Sequence, residues 1–129
     1  GAVPCYSDFH PHLLPKDNLY ASCLTNDDNE LLEIREKFSF EEDKTKALHS
    51  PGTYYFKSGK LLKKYCRALV DSGESLGGEY YVSLIYNLMV ADGLRIGVPV
   101  NVEFFCQWGT PEDLEEYLYW SRKILGKYP

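Results

Sequence analysis

The stretch from Val102 to Leu118, V-E-F-F-C-Q-W-G-T-P-E-D-L-E-E-Y-L, limits what this chain can fold into more than any other. An apolar run ends at Gly109, and a helix start follows at once. Thr110 is a good N-cap, Pro111 suits the first helical position, and Asp113 sits where a capping-box acid belongs. Glu112, Asp113, Glu115 and Glu116 set negative charge on the first turns, as the helix dipole favours. The pattern predicts a buried strand breaking sharply into an amphipathic helix over 111–125. In open α/β sheets such junctions are where ligands meet protein.

The rest of the chain fits one domain. Its 129 residues suffice for a single core, with 44% hydrophobic and 26% charged residues. A net charge of −5 argues against nucleic acid as a partner. No apolar run reaches membrane-span length and no signal-peptide pattern opens the sequence, so neither membrane nor export is expected. Cys5, Cys23, Cys66 and Cys106 are scattered without a C-x-x-C pair. Two of them fall in apolar elements and read as buried thiols, which points to a cytoplasmic protein.

Residues 1–16 hold three prolines and two histidines and show no helical or strand period, so an irregular segment is expected. His10-Pro11-His12 offers two metal-binding side chains but no third ligand at a recognisable spacing, and reads as a solvated loop. Residues 18–24 and 31–37 read as a hairpin around the turn Thr25-Asn26-Asp27-Asp28-Asn29, with Leu32, Ile34 and Glu36 on one face. Residues 39–51 read as an exposed loop, and 52–57 as a buried strand. Ser58 caps a helix running to about Val70, with Leu61, Leu62, Tyr65, Leu69 and Val70 as its stripe. A second helix is expected over 79–91, and one or two strands over 94–108. The order β-β-β-α-α-β-α gives an α/β fold, a mixed sheet with flanking helices.

Three stretches together resemble bacterial sugar-1-phosphate nucleotidyltransferases of the thymidylyl- and cytidylyltransferase kind. They are Glu36-Lys37; then Gly52-Thr53-Tyr54-Tyr55-Phe56, which is similar to the family's Gly-x-Tyr-x-Phe strand; then Gly78-Glu79-Tyr80-Tyr81-Val82-Ser83 through Asp92-Gly93, leading to Gly109-Thr110-Pro111-Glu112-Asp113-Leu114. The resemblance covers residues 18–117. It implies the C-terminal part of a nucleotide-diphospho-sugar transferase-like fold. The implied function is formation of an NDP-sugar and pyrophosphate from NTP and a sugar 1-phosphate. Glu36 would accept hydrogen bonds from sugar hydroxyls, Lys37 would meet the phosphate charge, and Gly52 would let the backbone approach the sugar. Glu79 would stand at the pocket rim.

The same resemblance identifies departures. The family's glycine-rich G-x-G-x-R-L signature, which holds the nucleotide phosphates, does not occur in this sequence, nor does the upstream Asp that binds magnesium. Gln107 stands where the family has a second metal-binding Asp, and a neutral amide is a poor magnesium ligand. The chain therefore resembles the sugar-facing half alone, expected to be inactive by itself, with magnesium acting only in the complete enzyme. A partner is expected, either a nucleotide-binding N-terminal half or a second copy, since half a sheet should expose a strand edge and an apolar patch. The alternative is a non-catalytic binding or assembly domain that keeps the fold without the active site. The tyrosines at 54, 55, 80, 81 and 86 read as packing first and as sugar-stacking groups second.

Overall fold

The computed structural model describes residues 1–10, 13–103 and 105–126, so Pro11, His12, Phe104 and residues 127–129 lie outside the described residues. A hairpin forms where the turn chemistry predicts it. Strand β1, Ser22–Thr25, runs antiparallel to β2, Leu31–Arg35, with Cys23 opposite Ile34. The Asn26 side chain holds the turn by accepting from the N–H groups of Asp28 and Glu30. The face assignment of β2 needs correction. Leu31 and Ile34 are buried and Leu32 is exposed. Simple alternation fails because the pairing register shifts between Leu24 and Thr25, and the Leu31 N–H turns to the Ile96 carbonyl at 2.8 Å.

A third strand lies where a loop is expected. Strand β3, Leu48–His49, pairs antiparallel with β1 and gives the order β2-β1-β3. Ala47, His49 and Ser50 are buried there. The opening segment covers the outer side of β3: Tyr6 and His49 exchange both backbone hydrogen bonds at 2.9 Å. Ala2 bridges Tyr55 on one side and Gly97 on the other, and Cys5 bridges Val100. Residues 1–6 are thus irregular in class but central in packing, with Val3, Cys5 and Tyr6 buried. Residues 52–57 and 94–103 contribute these single bridges rather than the strands expected of them.

One helix packs on β2 and a second packs on that helix. Helix α1, Gly59–Ser72, begins at Ser58, whose hydroxyl accepts from the Leu61 N–H, and it buries Tyr65 and Leu69. Helix α2, Ile85–Ala91, follows a 3-10 turn over Val82–Leu84. The expected start at Glu79 is displaced because Leu76 and Glu79 pair with each other across Gly77 and Gly78. Both glycines have positive φ, the tight-hairpin conformation that excludes helix. Tyr86 fills the centre of the core, its hydroxyl donating to the carbonyls of Ala2 and Tyr55 at 3.2 and 3.0 Å. Asn87 seals the free edge of β2: its amide accepts from the Ile34 N–H and donates to the Ile34 carbonyl, both at 2.9 Å. The strand edges are therefore engaged at Ile34 and His49.

Exposed large hydrophobics are spread over the chain, Leu24 and Leu32 of the hairpin included, and gather most densely on helix α3, Pro111–Leu125. Its capping box is complete, Thr110 Oγ1 accepting from the Asp113 N–H and the Asp113 carboxylate accepting from the Thr110 N–H. None of its residues is buried.

Candidate functional site

The site is built around the end of β2. Glu36 follows the strand directly, and its half-buried carboxylate accepts a hydrogen bond from Ser83 Oγ. Ser83 itself is buried at the foot of α2. Burial raises the Glu36 pKa above its ordinary value, while the Ser83 hydroxyl and the Lys37 ammonium oppose the rise.

Lys37 has a positive φ of 52°, so the alternation that would send its side chain away from that of Glu36 is broken. Its Nζ lies 5.6 Å from the Tyr81 ring centroid. Hydrogen bonding with Tyr81 raises its pKa, helped by the charges of Glu79 and Glu36. The Tyr81 hydroxyl in turn donates to Glu79 Oε2. Glu36 and Lys37 thus reach two residues of one turn, Ser83 and Tyr81.

Gly52 joins from the other side. Its N–H donates to Ser50 Oγ at 3.1 Å. Tyr54 lies between Ser50 and Ser83, and its pKa is pushed up to about 12 by burial, opposed by hydrogen bonding with Ser50 and then raised further by the Glu36 charge. At φ 83°, Gly52 holds a turn that L side chains rarely adopt, and a Cβ there would meet nothing within 4 Å. Open space therefore fronts the backbone at that point.

The four residues singled out in the sequence, Glu36, Lys37, Gly52 and Glu79, belong to one connected polar cluster. Ser50, Tyr54, Tyr81 and Ser83 are the members that sequence reasoning missed as polar partners. Tyr54 and Tyr81 had only an aromatic signal, and no local pattern marks the two serines. The arrangement presents an ammonium, two carboxylates and a turn of bare backbone, a set suited to a ligand carrying both hydroxyls and a negative charge.

Gln107 lies apart from this cluster. Its Nε2 donates to Asp113 Oδ2 at 2.8 Å, and its Oε1 is buried without a hydrogen-bond partner. That bond is the first cause of the lowered Asp113 pKa. One neutral oxygen is all that Gln107 offers a cation, and the described residues contain no group of three His, Cys, Asp or Glu side chains able to hold a metal. The carboxylate beside Gln107 is that of Asp113, whose Oδ2 already accepts from Gln107 Nε2 and the Thr110 N–H. His10 packs edge-on against Tyr6, with ring centroids 4.5 Å apart. Two clefts flank the C-terminal segment. One of about 500 Å³ includes Asp8, His10 and Glu103, and one of about 420 Å³ includes Gln107, Tyr117 and Trp120. Neither is lined by the Glu36 cluster, in which Ser50 and Ser83 are buried and Glu36 and Tyr54 half-buried.

No protein-family profile matches the chain, and no curated protein sequence does. Among solved structures, the chain is similar to a nucleoside-diphosphate-sugar pyrophosphorylase from Vibrio cholerae RC9, with a TM-score of 0.70 and 21% identity. The match covers 92% of this chain and 46% of that one, so the chain spans about half the length of the protein it resembles. The fold is thus that of part of a nucleotide-sugar pyrophosphorylase, a mixed α/β arrangement with a small antiparallel sheet and flanking helices. No helix among the described residues is long and apolar enough to cross a membrane.

Proposed function

We propose that this chain supplies the sugar-phosphate side of a nucleotidyltransferase that makes an NDP-sugar and pyrophosphate from NTP and a sugar 1-phosphate. The observation that carries this reading is the convergence of Glu36, Lys37, Gly52 and Glu79 on one surface, within a fold shared with part of a nucleotide-sugar pyrophosphorylase.

In this reading Glu36, held by Ser83, accepts hydrogen bonds from sugar hydroxyls. Lys37 meets the phosphate as a flexible point charge. The open turn at Gly52 lets the sugar approach the backbone. Glu79, tied to Tyr81, closes the rim. The NTP and its magnesium are held by a separate nucleotide-binding half, in the same polypeptide or as a partner. Catalysis in such a reaction is chiefly positioning and charge neutralisation, and this chain provides the first of these for the sugar.

A second reading is a binding or assembly domain without catalysis. The engagement of Gln107 with Asp113, at the position where the resembled family has a metal-binding Asp, favours it.

The test is a pyrophosphate-release assay over a panel of NTPs and hexose 1-phosphates. The chain alone should give no product, and adding a nucleotide-binding half should give turnover. In that system Glu36→Gln and Lys37→Ala should raise KM for the sugar phosphate more than for NTP. Equal effects on both substrates would contradict the sugar-side assignment. No turnover with any half supplied would favour the second reading.

A further inference from the structure

Between the Gly52 turn and Glu36 the chain holds a row of three hydroxyls, of which the proposed function uses only that of Ser83. Ser50 and Ser83 are each 1% exposed. Tyr54 is half-buried, its ring centroid 5.8 Å from that of Tyr86. The Gly52 N–H donates to Ser50 Oγ at 3.1 Å. The Tyr54 hydroxyl is hydrogen-bonded to both Ser50 and Ser83. Ser83 Oγ then donates to Oε1 of Glu36. Ser50 follows β3, Ser83 sits in the 3-10 turn before α2, and Glu36 follows β2, so only the folded chain assembles the row.

Donor counting gives the row one direction. Each hydroxyl carries a single proton, and an ionised carboxylate only accepts. Ser83 spends its proton on Glu36, so it can only accept from Tyr54. Tyr54 spends its proton on Ser83, so it accepts from Ser50. Ser50 in turn accepts from the Gly52 N–H, a backbone donor that cannot reverse its role. Both ends impose the same polarity, and no hydroxyl proton is left over. In a low-dielectric setting each bond of such a chain strengthens the next. Oε1 of Glu36 is thereby occupied, which leaves Oε2 to accept from a ligand hydroxyl.

We infer that Tyr54 is a positioning residue of the candidate site: through Ser83 it orients the Glu36 carboxylate, and through Ser50 it ties that carboxylate to the Gly52 turn. The use of this arrangement to bind a sugar rests on the sugar-phosphate reading, whereas the relay belongs to the free chain. Lys37 and the Cys23 thiol of β1 also face Glu36, and Glu79 acts on Lys37. Those groups act by charge, and substitution of Tyr54 leaves them in place.

Titration of Glu36 in the 129-residue chain tests this, followed by NMR of labelled glutamate carboxyls and assigned by loss of the signal in Glu36→Gln. Tyr54→Phe keeps the ring and removes the hydroxyl. Because a donor to the charged form is weakened, the Glu36 pKa should rise and hexose 1-phosphate binding should weaken severalfold. Ser83→Ala should raise the pKa further, and Ser50→Ala should raise it least. In the Ser83→Ala background Tyr54→Phe should add nothing, since the path to Glu36 is already cut. An unmoved Glu36 titration in Tyr54→Phe would overturn the relay, and so would an equal shift with and without Ser83. If Glu36 titrates as expected in every variant while the unaltered chain binds no hexose 1-phosphate, the relay stands and the sugar-phosphate reading falls.

Discussion

The region built from residues 1–98 and the region built from 105–126 are stabilised in opposite ways. The first has modest local signals and dense tertiary ties. Its segments 1–6, 48–49 and 54–56 show little period, yet Ala2, Cys5, Tyr6 and His49 are fixed by backbone bonds to distant partners. The second has the strongest local signals in the chain, a complete capping box, acids in the first turn and Arg122 and Lys123 in the last, and buries no residue of its helix. A good cap specifies where a helix starts. It does not supply the burial that makes a helix an inseparable part of a domain, because most helical stability in proteins comes from packing an apolar face.

The largest expected effect lies in the first region. Ile34 is fully buried and is held through its backbone by Asn87. Ile34→Ala should lower global stability by about 2–5 kcal/mol, as cavity-forming changes do. Chemical denaturation checks this, and Leu125→Ala on α3 should change the same midpoint by less than about 0.5 kcal/mol. Comparable losses at both sites would erase the distinction between the regions.

A smaller and more discriminating effect concerns the cap. Thr110→Ala removes a side-chain acceptor at the α3 N-terminus, a change that costs about 1 kcal/mol of helix stability. Because α3 is not buried, the loss should appear as faster amide exchange within 111–125 and lower helix content, with an unchanged global midpoint. A shifted midpoint would show that α3 is coupled to the core more tightly than its exposure implies.

The smallest expected effect is a slope. Burial raises the Glu36 pKa in the folded chain, so the folded state binds that proton more tightly than the unfolded state does. Its contribution is therefore fully present below the ordinary value of 4.5 and is lost as pH rises through the raised value. Glu36→Gln should flatten that part of the stability profile. A steeper decline in the variant would contradict the assigned direction.

These contrasts also mark what was legible in the sequence. Asn26, Ser58 and Thr110 act through backbone groups a few residues away, so their turn and caps could be read directly. Strand β3 and the opening segment could not, because a two-residue strand and single bridges leave no period to detect. The face of β2 was misread because one register shift defeats alternation. At the candidate site, the resemblance pointed to Glu36, Lys37, Gly52 and Glu79, while Ser50 and Ser83 became visible only when folding placed them beside Gly52 and Glu36. Isolated serines carry no signal, since their role depends on what the fold brings within reach.

The central claim is that the Glu36 cluster, rather than either cleft beside the C-terminal segment, receives a sugar 1-phosphate. Titrating the isotopically labelled chain with a panel of hexose 1-phosphates, followed by amide NMR, tests it most directly. The expected result is a saturable set of shifts centred on Glu36, Lys37, Gly52 and Ser83, weakened by Glu36→Gln and by Lys37→Ala. Shifts centred instead on Gln107, Tyr117 and Trp120, or no saturable shifts with any member of the panel, would contradict it.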